Sequence, residues 1–147
     1  MSGIKSEHRK WWILAAMGFS LAVVVLDETI VGVALPSITD ELNMKVVTAH
    51  WIINAYLLVF TGLAAAGGKL LDRVDIKRLF IAGVLMFGLA SFGCGYAENA
   101  LQLIISRSIQ GIGAAIIFPG SVALVAMVFA PQQRGLALGI YTSFGSV

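Results

Sequence analysis

Apolar runs long enough to cross a membrane recur along the whole 147-residue chain. A membrane-spanning helix needs about 20 apolar residues to cross about 30 Å of hydrocarbon. Such a segment must satisfy its backbone hydrogen bonds internally, which the α-helix does within a single segment. The predicted spans cover residues 11–35, 46–70, 79–97 and 101–129, with an incomplete fifth at 136–147.

The composition rules out several classes of protein. Hydrophobic residues make up 59% of the chain and charged residues 12%, so a soluble domain could not cover its surface with polar groups. The net charge of +2 is small and the basic residues lie between apolar runs, which excludes a nucleic-acid partner. The sequence has no metal-ligand spacing, nucleophile–base pair or phosphate-binding loop, so we expect neither an enzyme nor a cofactor. An all-α, multi-pass membrane protein is predicted.

Charge between the spans predicts the orientation. One side carries Lys5, Arg9, Lys10, Lys69, Arg73, Lys77, Arg78 and Arg134, and the other carries Lys45 with Asp40, Glu41 and Glu98. Because cytoplasmic connections retain an excess of Lys and Arg, the N-terminus is predicted to be cytoplasmic and the chain to lie in the cell membrane. The basic start resembles a signal peptide, but Asp27 interrupts the apolar run, so an uncleaved first span is predicted.

The two ends of the predicted bundle carry further expectations. Pro36 and Ser37 are expected to close the first span. The run at 136–147 is too short to cross the membrane, so its backbone amides would have no route back to water. We therefore expect residues 1–147 to be the N-terminal part of a longer protein, with the sequence stopping inside a helix. The alternative is a complete four-helix protein with an interfacial tail.

Small residues are dense in the middle spans. Helices in lipid associate through close backbone approach, so such residues are expected to be packing positions rather than ligand contacts. Cys94 is the only cysteine, which excludes an internal disulfide and leaves packing as its expected role. The small residues include Ala64, Ala65, Ala66, Gly67, Gly68, Gly83, Gly88, Gly93, Gly95, Gly111, Gly113, Ala114 and Ala115.

Asp27 and Glu28 lie inside the first span, where a charge costs about 2.5–3.5 kcal/mol even on the lenient insertion scale. Counted from Ile13 at about 1.5 Å per residue, Asp27 lies about 9 Å below the outer boundary. Arg107 in the fourth span is predicted to lie at a similar depth of about 9 Å. Opposite charges at one depth cost less paired than apart, because each alone carries the full desolvation penalty. A buried Asp27–Arg107 pair is therefore predicted.

Two roles fit this pair. Asp27 can be a proton site modulated by Arg107, because a movement that separates the two side chains should cause the carboxylate to take up a proton. The alternative is a permanent salt bridge that joins the first and fourth spans. Glu28 points about 100° away around the helix and ranks second as a proton-coupling residue.

Other polar residues in the spans are candidates for lining a cavity. Gln110 and Gly111 follow Arg107 by three and four residues and share its helix face. They could line a water-filled cavity, as could Asn54 and Tyr56 in the second span. Hydrogen bonding between helices is the alternative for each polar side chain.

Four segments carry patterns that occur together in one family. They are residues 26–36 (LDETIVGVALP), 50–58 (HWIINAYLL), 68–78 (GKLLDRVDIKR) and 103–115 (LIISRSIQGIGAA). In this order they resemble the drug:proton antiporters of the major facilitator superfamily, particularly the 14-span EmrB/QacA-type branch. The sequence departs from that pattern at Gly32, where asparagine is usual, at Asp75, where glycine is usual, and at Ile76, where a basic residue is usual.

The resemblance implies a partial major facilitator fold, with four transmembrane helices and an incomplete fifth. It implies that a conformational loop is formed by Gly68, Asp72, Arg73, Lys77 and Arg78. Asp72 and Arg73 in this loop would help latch one state through contacts with the missing C-terminal half. The alternative for this loop is a charged hairpin that only orients the protein.

The same resemblance implies a transporter that couples inward proton flow to the efflux of small drug-like or amphipathic compounds. Its partners would be that substrate, protons and the lipid bilayer. The alternative function is a non-transporting membrane remnant or a helix–helix interaction module.

Overall fold

The computed structural model describes residues 2–71 and 74–146. Five α-helices follow one another along the chain: α1 (Ser2–Glu41), α2 (Val46–Leu71), α3 (Ile76–Gly95), α4 (Ala100–Val128) and α5 (Pro131–Ser143). Four of the described helices are long and apolar enough to cross a membrane, over His8–Glu41, Val46–Ala66, Ile76–Gly95 and Ala100–Val128. The predicted all-α membrane architecture is confirmed.

The first helix does not end where the sequence predicts. It continues through Pro36 to Glu41, so the expectation that Pro36 and Ser37 close the first span is wrong. Pro36 has no N–H to donate to the Gly32 carbonyl, and membrane helices tolerate the loss of one such hydrogen bond.

The fifth helix also differs from its predicted limits. It begins at Pro131 rather than near residue 136, because proline at the first helical position loses no hydrogen bond that the helix would have made. It ends at Ser143, so the expectation that helix continues to residue 147 is wrong. The hydroxyl groups of Thr142 and Ser143 bond back to the carbonyls of Gly139 and Ile140, an arrangement that competes with regular helix.

Helix α4 is the centre of the bundle. It packs most extensively against α3 and α2, and less against α1 and α5. A Cβ atom on Gly111 would lie 2.7 Å from the Tyr56 carbonyl oxygen, and one on Gly113 would lie 2.9 Å from the Phe87 amide nitrogen. These two glycines therefore let α4 approach the backbones of both neighbours, as their predicted packing role requires.

The packing role does not extend to every small residue. Gly83 and Gly93 are also close to α4, with Ile116 and Ser106 as their nearest neighbours. By contrast, a Cβ on Gly68, Gly88 or Gly95 would meet nothing within 4 Å, so a packing role for these three is not supported. The difference follows from the rotation of each helix about its axis, which composition does not specify.

Polar and aromatic contacts join α5 to the bundle. Ser121 on α4 and Tyr141 on α5 share a buried hydrogen bond of 2.6 Å between their hydroxyl groups. At the N-terminal end of α5, Lys10 Nζ donates to Gln133 Oε1 at 2.9 Å. The Trp11 ring packs edge-on against Phe129, with centroids 5.4 Å apart.

Candidate functional site

Two helical stripes bring the candidate site together. On α1 the buried side chains Leu14, Met17, Leu21 and Val24 recur at helical spacing, and Asp27 is the next residue along that stripe. On α4 the corresponding stripe comprises Leu103, Arg107, Gln110, Ala114, Ile117, Ser121 and Val125. Asp27 therefore faces Arg107 and Gln110 because each continues an apolar face that packs in the core.

The expected ion pair is present. Arg107 Nη1 lies 2.5 Å from Asp27 Oδ2, and the arginine side chain is fully buried while that of Asp27 is 17% exposed. Gln110 Nε2 donates to Asp27 Oδ1 at 3.0 Å, and Gln110 Oε1 accepts from Arg107 Nη1, also at 3.0 Å. The three side chains thus form a closed ring in which each touches the other two. Both carboxylate oxygens are bound by donors from α4.

Two further helices complete the cluster. The Tyr56 ring on α2 lies against the guanidinium, with Arg107 Cζ 4.4 Å from the ring centroid. This is a cation–π contact, which is strengthened by the absence of water. Cys94 Sγ on α3 donates to Gln110 Oε1 at 3.2 Å. Four helices therefore contribute to one polar cluster inside an apolar bundle.

The guanidinium retains unused hydrogen-bonding capacity. Arg107 Nε and Nη2 are buried and have no hydrogen-bond partner among the described residues. An unsatisfied buried donor costs about 1–3 kcal/mol, and more when it is charged. Of the guanidinium nitrogens, Nη1 alone makes hydrogen bonds among the described residues, and it binds both Asp27 and Gln110.

Comparison with known proteins identifies the family. The profile of the Major Facilitator Superfamily matches residues 17–147. The chain belongs to the Major Facilitator Superfamily. Membership of this superfamily, with four apolar helices, makes it a multi-pass membrane protein of a transporter family.

Similar members of the superfamily are named for antibiotic resistance. The chain is 40% identical to the puromycin resistance protein pur8 of Streptomyces alboniger, over 92% of this chain and 27% of that protein. It is 36% identical to the methylenomycin A resistance protein of Bacillus subtilis (91% and 28%). It is 31% identical to the tetracenomycin C resistance and export protein of Streptomyces glaucescens (96% and 26%). The chain spans about a quarter of the length of these relatives.

The other predicted site residues lie at different places in this major facilitator chain. Glu28 is exposed on α1, and Asn54 is exposed on α2, so neither joins the ion-pair cluster. Tyr56 and Gln110 are in the cluster. Gly111 is buried against the backbone of α2, where a helix contact occupies the space that a cavity would need.

The motif at residues 68–78 lies only partly within the described residues. Asp72 and Arg73 lie outside the described residues. Gly68 is half-buried at the end of α2, while Lys77 and Arg78 are exposed in the first turn of α3. Their predicted latch role stays a prediction.

Asp75 has a role that the sequence comparison does not suggest. Its Oδ1 accepts from the Arg78 amide at 2.9 Å and caps the N-terminus of α3. Its φ of −56° needs no glycine, so the departure from the usual pattern at this position carries no backbone strain. An aspartate three residues before Arg78, at the start of an apolar run, is a helix N-cap signal that could have been used.

Cys94 is the member of the cluster that sequence reasoning missed. The sequence predicts only a packing role for this cysteine. Its contact with Gln110 joins residues 16 positions apart on two different helices. No periodic signal marks such a contact. The tight α3–α4 connection predicts an antiparallel pair, but not which side chains meet across it.

Proposed function

We propose that this chain forms the N-terminal part of a transporter that exports small drug-like or amphipathic compounds in exchange for protons. The resistance and export named for its relatives support this substrate class. In major facilitator transporters the substrate cavity lies between two halves near the midplane of the membrane. This chain would contribute α1 and α4 to one wall of that cavity.

The Asp27–Arg107–Gln110 ring is the observation that carries the proposal. In the paired state, the carboxylate charge is balanced by the guanidinium. When α1 moves away from α4, Asp27 keeps its charge only at the cost of leaving it unpaired in a poorly solvated site. Binding a proton removes that cost. Proton uptake is thereby coupled to the separation of two helices, which is the requirement for proton-driven alternating access.

The remaining polar candidates have secondary roles in the proposal. Gln110 and Tyr56 orient and cover the ion pair, and Asn54 faces away from it on the exposed surface of α2. Glu28 is the second proton-coupling candidate, on the exposed side of α1. The conformational loop would contact the other half of the transporter through Gly68, Asp72, Arg73, Lys77 and Arg78.

The proposal includes the orientation in the cell membrane. The N-terminus is cytoplasmic, since most of the basic residues lie at positions 5–10 near the start of α1 and at positions 69–78 around the α2–α3 connection. Because Cys94 is the only cysteine, a Cys94→Ser background with single cysteines at Ser2 or Ser37 allows a labelling test. A membrane-impermeant maleimide applied to intact cells should label Ser37→Cys and not Ser2→Cys. The reverse pattern would overturn the orientation.

Transport by the full-length reading frame tests the function. Purified transporter in vesicles with an imposed pH gradient should export a fluorescent amphipathic cation, and Asp27→Asn should abolish this proton-driven flux. Asp40→Asn, which removes an exposed acid near the end of the same helix, is the matched control and should retain flux. Undiminished proton-driven flux in Asp27→Asn would overturn the assignment of Asp27, and loss of flux in Glu28→Gln alone would move the proton site to Glu28.

A further inference from the structure

The cluster contains one contact that the proposed mechanism does not use. Cys94 Sγ donates to Gln110 Oε1 at 3.2 Å, from α3 to α4. Cys94 is the only thiol in the chain and lies within a membrane span. A thiol is a weak hydrogen-bond donor, so the importance of this contact depends on which other groups Gln110 binds.

The acceptor is the amide that binds the proton site. Gln110 Oε1 receives two donors, Arg107 Nη1 and Cys94 Sγ, and this directs Nε2 toward Asp27. If the amide rotated by half a turn, its NH₂ group would face two donors and its oxygen would face a carboxylate. Each of those contacts is repulsive, so the two donors to Oε1 determine which end of the amide Asp27 meets.

The two donors differ in what happens to them when helices move. Arg107 is bound to Asp27 itself, so the bond that it makes to Gln110 is exposed to any change in that ion pair. Cys94 lies on α3, which packs closely on α4 where Gly113 meets Gly83 and Phe87. The α3–α4 pair is more extensive than the contact between α1 and α4. The Cys94–Gln110 bond therefore persists when α1 moves.

We propose that Cys94 is a positioning residue for the proton site, keeping Gln110 Nε2 directed at the place that Asp27 occupies whenever α1 lies against α4. The inference rests on the proposed function. A donor to a carboxylate favours its charged form, so a fixed Gln110 keeps Asp27 able to give its proton up again. Without Cys94, the Gln110 amide can rotate while α1 is away from α4, and Asp27 on its return can meet the amide oxygen instead of Nε2.

The surroundings of Asp27 are consistent with this role. The charged and titratable groups that face it are Arg107 from α4, Tyr56 from α2 and Cys94 from α3, with Glu28 adjacent on α1. On α5, Tyr141 bonds to Ser121 instead. Gln110 Nε2 is the uncharged donor that is hydrogen-bonded to Asp27, and its orientation is what Cys94 can control.

Infrared spectroscopy of the S–H stretching band tests the contact directly, because the chain has a single thiol. In the chain reconstituted in lipid, the band should lie at the frequency of a hydrogen-bonded thiol. Gln110→Ala should move it to the frequency of a free thiol, whereas Gln110→Glu, which keeps an acceptor oxygen, should not. Gln102→Ala, which removes a glutamine from the first turn of α4, is the matched control and should leave the band in place. An unchanged band in Gln110→Ala would overturn the inference.

Transport by the full-length protein tests the consequence. Cys94→Ala should shift the pH profile of proton-driven flux toward higher pH by about half a unit, as expected for weakening one hydrogen bond. Cys94→Ser keeps a donor and should retain the original profile, as should the control Ser108→Ala, whose hydroxyl group bonds only within α4. Identical profiles for Cys94→Ala and the unmodified protein would overturn the inference while leaving the function of Asp27 intact. Failure of the Asp27→Asn test would instead overturn the proposed function, and the S–H band would still report whether the contact exists.

Discussion

Asp27 and Gln110 lie 83 positions apart in the sequence and are joined by a hydrogen bond of 3.0 Å inside the bundle. The same amide contacts Arg107 on α4 and Cys94 on α3, and the Tyr56 ring on α2 covers the Arg107 guanidinium. Side chains from four helices therefore meet around the Asp27 carboxylate. The site is consequently sensitive to relative movement of the helices. That sensitivity is what a transporter needs, and it also makes the energetics of the cluster measurable.

Arg107→Met should destabilise the bundle by about 3 kcal/mol, at the low end of the range for broken buried pairs because the Asp27 side chain is not fully buried. The physical reason is that removal of one partner leaves the other charge buried and unpaired. The double variant Asp27→Asn/Arg107→Met should recover most of that loss. Unfolding in lipid nanodiscs, compared across the full double-mutant cycle, measures the coupling. Additive losses would contradict the pairing.

Gly113→Ala should destabilise the packing of α3 on α4 by about 1–3 kcal/mol. Its Cβ would lie 2.9 Å from the Phe87 nitrogen and 3.0 Å from the Gly83 carbonyl oxygen, and both contacts are backbone atoms that cannot move aside alone. Gly88→Ala is the matched control, since its Cβ would meet nothing within 4 Å. The melting temperatures of the two variants in the same detergent should separate clearly. Equal temperatures would argue against this helix contact.

Asp75→Ala should loosen the first turn of α3 by about 1 kcal/mol, because it removes the side chain that accepts from the Arg78 amide. Asp75→Ser retains an N-cap acceptor and should behave like the unmodified protein. Hydrogen exchange at the amides of Lys77, Arg78 and Leu79 measures the effect locally. Faster exchange confined to the alanine variant is the expected result, and equal exchange in both variants would exclude the cap as a stabilising feature.

The 147-residue chain alone should not carry out proton-coupled transport. A major facilitator cavity is formed between two halves that rock against each other, and this chain has five described helices with which to form one side. Vesicles containing only the chain should show no pH-driven flux of the fluorescent cation, while vesicles with the full-length protein should. Flux from the isolated chain would show instead that these helices assemble a complete pathway, for example by association of two copies.

Much of the fold followed from hydropathy and turn chemistry. The middle three helices were placed within a few residues, as for the span predicted at 79–97 against the observed Ile76–Gly95. The predicted and observed bounds differ at two prolines. The sequence predicts that the first span ends at Pro36, but α1 continues to Glu41. It predicts a fifth helix from residue 136, but α5 begins at Pro131. Proline ends a helix only when the freed carbonyl and the ring cannot be accommodated, and that depends on surroundings that the local sequence does not specify.

The pairing of Asp27 with Arg107 was the part of the site that the sequence could predict. The depth of Asp27 and Arg107 depends on counting residues along each helix, and the cost of an unpaired charge in lipid then requires a partner at that depth. Glu28 and Asn54 were equally polar candidates and proved to be exposed. Residue type does not distinguish these two from Asp27 and Tyr56. The difference is which face of each helix packs against its neighbours.

The sequence by itself determined that the chain forms helices long and apolar enough to cross a membrane and where along the chain they lie. These properties are local, since length and hydropathy are set within one segment. Only the tertiary structure decided that Cys94 binds Gln110 and that Gly113 rather than Gly88 carries the close approach of α3 to α4. Those contacts depend on how each helix is rotated against its neighbours, which is fixed by the packing of all the helices together.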